Sequence, residues 1–282
     1  MDVIYLDNAA TSYPKPEGVS SAMKTYLDHV GATINRSVYG SAQDAGLKTL
    51  QLRERLKKLF HFPEPVTHVI LTPGATWGLN MAIKGFLKPG DHCLVSSMEH
   101  NAVMRPLERF VSRDEITVKL LRPDEQGMLS PEVLRRAITS RTGLVIICHA
   151  SNVSGVVQPV RELGAVCREK GVPLLVDAAQ TAGMLDVTLE ALNADMIALP
   201  GHKGLLGPHG TGLLALREGV DPEPLILGGT GSASESIRQP ELLPDRYESG
   251  TLNLPGIAGL LAGIEFVAPQ RADIHRYEAR LN

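Results

Sequence analysis

The stretch that most restricts what this chain can fold into is Asp195 to Leu216. Two apolar, strand-like runs, 196–199 and 212–216, bracket Pro200-Gly201-His202-Lys203-Gly204-Leu205-Leu206-Gly207-Pro208-His209-Gly210-Thr211. Glycine and proline this dense preclude a helix. A parallel crossover normally contains one, so the two runs are expected as antiparallel neighbours. Their loop holds one lysine, Lys203, at the rim of a sheet. It is either a solvated loop lysine or an amine that forms a Schiff base in a site. Its neighbours at that rim decide between the two.

The rest of the chain supplies the sheet. From residue 68 onward, short apolar runs at 68–72, 92–96, 116–121, 143–149, 173–177, 195–199 and 211–216 read as seven strands. Helical patterns fit between most of them, at 75–87, 101–111, 131–139 with Ser130 as cap, and 160–170 with Gly171 as stop. Continuous Val/Ile/Leu strands alternating with helices mean an α/β fold with a mainly parallel sheet covered on both faces. Before them come a short strand-like opening at the N-terminus and then the small, polar Asp7-Asn8-Ala9-Ala10-Thr11-Ser12. A helix led by Pro14 and Pro16 follows and ends near Gly31. The loop carrying Asn35, Arg36 and Tyr39 is either unordered or functional. Ser41 with Asp44 resembles a capping box for a helix through Leu59.

Ligands of such sheets collect beyond the carboxyl ends of the strands. After the first strand, Thr72-Pro73-Gly74-Ala75-Thr76 turns into a helix, either as an ordinary cap or as a phosphate cradle. Glu99-His100-Asn101 follows the second strand, placing an imidazole where a flat ring could stack. His149, Ser151 and Asn152 follow the fourth, and Asp177-Ala178-Ala179-Gln180 the fifth. Each admits a structural reading, and an acid ending a strand also suits a ribose site. GxGxxG is absent, however, and Lys203-Gly204 is not a Walker ending, so nucleotide binding is demoted.

Composition narrows the partner. Lys and Arg total 28 against 31 Asp and Glu, a formal net charge of -3 with no like-charge run. That argues against nucleic-acid or membrane surfaces and for a small molecule. Cys93, Cys148 and Cys167 are odd in number and without CxxC spacing, which argues against a disulfide framework or a metal site and for a cytoplasmic location. No apolar run is long enough to span a bilayer. A ring-and-phosphate cofactor with a lysine partner remains. Pyridoxal 5'-phosphate needs an amine, a carboxylate for its pyridine nitrogen and a phosphate cradle, and Lys203, Asp177 and the Thr76 turn supply one of each.

With those motifs the chain resembles the fold-type I pyridoxal phosphate enzymes. Within them it resembles the class V aminotransferase group and its cysteine desulfurase and selenocysteine lyase family. The resemblance runs through Tyr5-Leu6-Asp7-Asn8-Ala9-Ala10-Thr11, Gly74-Ala75-Thr76, Glu99-His100-Asn101, His149 to Asn152, Asp177 to Gln180, Gly201-His202-Lys203 with Gly207-Pro208, and Glu248-Ser249-Gly250-Thr251-Leu252-Asn253. It implies Lys203 as the Schiff-base lysine, Asp177 on the pyridine nitrogen, Gln180 on the phenolic oxygen and His100 stacked on the ring. It further implies Gly74, Ala75, Thr76 and His202 around the phosphate, with Thr251 reaching the phosphate of the partner subunit in a homodimer. Asn8, Ala9 and Asn152 would face the substrate. Pro200 stands where many relatives have a serine that donates to the phosphate, and proline cannot donate.

The implied reaction removes sulfur from cysteine, or selenium from selenocysteine, to give alanine, with a possible sulfur-acceptor protein. Transamination, or a pyridoxal phosphate-binding but catalytically incomplete chain, are the alternatives. Family members normally continue into a small domain with a carboxylate-binding arginine and a loop cysteine. The charged stretch 272–282, lacking a stop signal, reads as a truncation of that domain. The expected division is 1–255 as the cofactor-binding domain and 256–282 as the start of the small one.

Overall fold

The computed structural model describes residues 4–34 and 40–281. The loop with Asn35, Arg36 and Tyr39 lies outside them, as do residues 1–3 of the expected opening strand. Residues 4–7 form no strand, and 8–10 form a turn. The apolar Ile4 and Leu6 are 84% and 90% exposed, so alternation there has no sheet to pair with.

Helix α1 (Glu17–Thr25) runs into a single π-helical turn, Tyr26–Val30, and stops where Gly31 adopts a left-handed φ of 55°. Helix α2 (Gly40–Leu59) begins one residue before Ser41, so that serine lies inside the helix and not at its expected cap. The alternating region follows: β1 (Val69–Thr72), α3 (Ala75–Phe86), β2 (His92–Ser96), α4 (Asn101–Val111), β3 (Thr117–Leu121), α5 (Pro131–Ala137), β4 (Thr142–Cys148), α6 (Val160–Lys170), β5 (Leu174–Asp177), β6 (Met196–Pro200) and β7 (Gly212–Leu216). The chain ends in α7 (Leu254–Val267) and α8 (Arg271–Leu281). Helix α5 stops two residues earlier than the pattern suggested, because Ile138 is extended. Gly171 ends α6 in the left-handed conformation, as a C-terminal glycine should.

The seven strands form one sheet in the order β1-β7-β6-β5-β4-β2-β3. Strand β7 runs antiparallel to both β6 and β1, with Pro200 opposite Gly212 and Thr72 opposite Gly212 on the other side; the remaining pairs are parallel. The glycine-broken lysine loop is therefore an antiparallel connection.

Alternate strand residues feed two cores. Leu71, Leu94, Val145, Ile147, Val176, Ile197 and Leu213 pack toward α2, α5, α6 and α7. Ile70, Val95, Leu144, Ile146, Leu175, Ala198 and Leu214 pack toward α3 and α4. With every strand but the edge strand β3 buried on both sides, each large aliphatic side chain in them contributes about 1.5–3 kcal/mol of burial. Helix α7, which spans the boundary expected at 255/256, packs Ile257, Leu260 and Ile264 into the first core, whereas α8 buries no residue. No helix among the described residues is long and apolar enough to cross a membrane.

Candidate active site

Beyond the carboxyl ends of β4, β5 and β6 opens a cavity of about 540 Å³, within the usual range for small-molecule sites. Lys203, from the loop after β6, lines it with Asp177, the last residue of β5. Burial without full compensation pulls the Lys203 amine below its ordinary value, and the nearby Asp177 and Cys148 partly oppose this. Asp177 is 3% exposed, and its Oδ1 accepts the Ala179 N–H at 2.9 Å. Desolvation raises its pKa, against the stabilising Ala179 bond and the charges of His100 and Lys203. A cationic ring nitrogen placed at this carboxylate would remove that penalty.

Another part of the wall is the start of α3. Gly74, Ala75 and Thr76 line the cavity, and no side chain caps the helix, so its first N–H groups are available to an anion. The fit there is tight. A Cβ on Gly212 would sit 2.6 Å from the Gly74 Cα, so glycine is what lets β7 approach this turn. His100 lines the cavity as the N-cap of α4, its Nδ1 accepting the Ala102 N–H at 3.1 Å; in the neutral ring the proton then sits on Nε2. His202 also lines the cavity. Burial, with His209, Lys203 and Lys15 nearby, pulls it down to about 4, so it is neutral at pH 7. Pro200 contributes wall and no donor.

The remaining expected residues are placed less uniformly. Ala9 and Asn152 line the cavity, but Asn8 does not; its Oδ1 accepts the Tyr13 N–H at 3.3 Å. Gln180 lines it while its Nε2 donates to the Ala9 carbonyl at 3.0 Å, so one of its N–H groups already serves the protein. Thr251 stands apart. It is exposed on the wall of a neighbouring cavity of about 230 Å³, formed mostly by apolar residues such as Leu52, Met81 and Ile257.

The geometry adds residues that motif reading passed over. Trp77 and His209 line the cavity, and the His209 ring lies 4.9 Å from that of His202. Trp77 directly follows Thr76 and His209 sits in the lysine loop, so position alone could have flagged both. Glu99, half-buried beside Cys148, accepts at Oε1 from Ser96 Oγ and the Cys148 N–H, each at 2.6 Å, while its buried Oε2 has no hydrogen-bond partner among the described residues. Desolvation pushes it up to about 8, so it is largely protonated at pH 7. None of the three thiols is primed. All are buried, burial pushes Cys93 and Cys148 well above their ordinary value and Cys167 up to about 12, and the Cys148 S–H donates to the Ala150 carbonyl at 2.9 Å.

A seven-stranded, mainly parallel sheet flanked by helices, with the last strand antiparallel and a lysine loop at its carboxyl rim, is the fold-type I architecture of pyridoxal phosphate-dependent enzymes. Residues 4–282 match the aminotransferase class-V family, and the chain belongs to it. It is 35% identical over 271 residues to a probable cysteine desulfurase of Methanothermobacter thermautotrophicus, covering 94% of this chain and 67% of that protein. Among solved structures, the apo cysteine desulfurase of Thermococcus onnurineus NA1 superposes with a TM-score of 0.91 at 31% identity, covering 99% of this chain and 71% of that one. SspA in complex with cysteine superposes with a TM-score of 0.81 at 31% identity, covering 93% and 72%. Enzymes of this family depend in general on pyridoxal phosphate.

Proposed function

We propose that this chain binds pyridoxal 5'-phosphate and serves a cysteine desulfurase reaction, converting cysteine, or selenocysteine, to alanine with transfer of the sulfur or selenium. The observation that carries it is the convergence of one lysine, one buried carboxylate and one uncapped helix start on a single cavity. The naming of the relatives as cysteine desulfurases, and the cysteine held by SspA, support the substrate. Bound there, the cofactor would act as an electron sink for the amino acid carbon.

The chain's own residues do the following. Lys203, with its amine pulled down, would hold the cofactor through Nζ and would take and return the proton at the substrate's α-carbon. Asp177 would hold the ring nitrogen protonated. His100 would cover the ring, Thr76, His202 and the Gly74–Ala75 backbone would hold the phosphate, and Gln180 would serve the phenolic oxygen. Ala9 and Asn152 would bound the substrate side, whereas Asn8 lies off the cavity wall. Breaking the carbon–sulfur bond passes sulfur to a thiolate as a persulfide, and the carbon takes a proton to become alanine. Because the chain's own three thiols are buried and protonated, the reaction needs an acceptor cysteine from outside these 282 residues.

That same burial favours transamination as the second reading, since it needs no thiol. The site of Thr251, off the Lys203 cavity, fits contact with a partner subunit's phosphate in a homodimer. Three free cysteines fit the cytoplasm. The exposed α8 fits the start of a small domain within 256–282.

The purified chain should be yellow with cofactor, and borohydride should fix the cofactor to Lys203. A reduced adduct mapped by mass spectrometry to another lysine, with Lys203→Ala still coloured, would sink the assignment. Alanine with sulfide from cysteine separates desulfuration from transamination, which gives a keto acid.

A further inference from the structure

The segment before α1 is tied to the lysine loop at one point. The His202 carbonyl oxygen lies 2.6 Å from Lys15 Nζ, 3.0 Å from Ser12 Oγ, 3.1 Å from Thr11 Oγ and 3.2 Å from the Ser12 backbone N. The Ser12 hydroxyl is also 3.0 Å from the Lys203 carbonyl and accepts from Lys15 Nζ at 2.7 Å. His202 Nδ1 faces Thr11 Oγ at 3.0 Å. These partners are nearly 190 residues apart in sequence, and they meet on the two residues expected to hold phosphate and aldehyde.

Of the four donors, Lys15 makes the shortest bond and carries the only charge. Among the described residues it has no carboxylate partner, so its half-buried ammonium is compensated by the His202 carbonyl and the Ser12 hydroxyl alone. Burial accordingly lowers Lys15 to about 8. Farther along the same segment, Gln180 Nε2 holds the Ala9 carbonyl, so a strap is fastened at both ends across the cavity wall.

Building on the assignment of Lys203 above, we propose that Lys15 is a positioning residue for the cofactor site. Its ammonium clamps residues 11–15 to the His202 carbonyl and fixes the backbone from which His202 and Lys203 project. A charge-assisted bond aimed at a carbonyl holds geometry more firmly than the neutral hydroxyls beside it. Placement of reacting groups within fractions of an ångström is what such a clamp would supply.

The test compares Lys15→Met and Lys15→Arg with the parent chain, all loaded with pyridoxal phosphate. Hydrogen exchange is followed by residue, and the dissociation constant for pyridoxal phosphate is measured. Lys15→Met should speed exchange roughly tenfold at residues 9–15 and 200–206 and weaken cofactor binding by a similar factor, with the core unchanged. Lys15→Arg should recover most of both. Met and parent behaving alike would overturn the proposal. So would exchange that rises evenly over the whole chain with a lower Tm, the signature of a merely stabilising contact. Borohydride mapping on the parent chain separates the two levels. An adduct away from Lys203 would defeat the cofactor assignment, yet local loosening in Lys15→Met would still report the clamp.

Discussion

Asp177 lines the cavity with Lys203, yet its own surroundings disfavour its charge. One backbone N–H at 2.9 Å does not replace the water it has lost, so a protonated ring nitrogen is the natural completion. A charge-assisted bond is worth roughly 1.5–3 kcal/mol. Asp177→Asn should therefore keep the fold and slow exchange of a bound amino acid's α-proton by about tenfold or more at equal cofactor occupancy. Unchanged exchange, followed by NMR in deuterated solvent, would mean another group holds the nitrogen. That Lys203, Asp177, His100 and Thr76 line one cavity was legible in the sequence because each lies at or just beyond the carboxyl end of a strand. Lys15 was not, since a lone lysine between two prolines has no pattern and its partner lies 187 residues away. Glu99 was visible only as part of a motif; its protonation depends on burial, which no local pattern encodes.

At the scale of elements, the loop carrying Thr251 is anchored from beneath by a buried ion pair. Arg53 of α2 donates from Nη2 to both oxygens of Glu248 at 2.5 Å and from Nε to the Val69 carbonyl, while Glu248 Oε1 accepts the Leu71 N–H at 2.7 Å. Helix α2, strand β1 and the 248–253 loop thus share one polar contact inside an apolar layer. Removing one partner leaves a charge buried and alone, so Glu248→Ala should lower unfolding free energy by about 3–5 kcal/mol in urea titrations. The double change Arg53→Met with Glu248→Leu should regain part of it, leaving the Leu71 N–H and the Val69 carbonyl without their side-chain partners, at about 1–3 kcal/mol each. If the double variant is no more stable than Glu248→Ala, the loss comes from loop packing and not from an orphaned charge. The strands and their alternation with helices were readable because apolar runs and glycine stops are local. The Arg53–Glu248 tie was not, because it joins positions 195 residues apart. The opening strand failed for the converse reason, as an apolar pattern with no sheet edge to meet it.

For the whole molecule, two desolvated titratable groups near the carboxyl end of β4 give opposite pH dependence. His149, 5% exposed and with Nδ1 2.9 Å from Thr181 Oγ, is pulled down to about 4 by desolvation. Between about 4 and 6.5 the unfolded chain binds the extra proton, so this group makes stability fall as pH falls through that window. Glu99 works the other way. Its folded value of about 8 lies above 4.5, so the folded chain binds the extra proton and stability falls as pH rises from about 4.5 to 8. From pH 5 to pH 7, His149 should add about 2 kcal/mol and Glu99 remove about 2 kcal/mol, leaving little slope from the pair. Single variants should expose each half. Glu99→Gln, which keeps the shape and cannot ionise, should make stability climb with pH by about 2 kcal/mol more than in the parent chain over this interval. His149→Asn should make it decline by a similar amount relative to the parent. Urea unfolding at pH 5, 6 and 7 measures both. Parallel curves for parent and Glu99→Gln would show that Glu99 is ionised in the folded protein at every one of these pH values. The neutral carboxyl beneath Cys148 would then have to be abandoned.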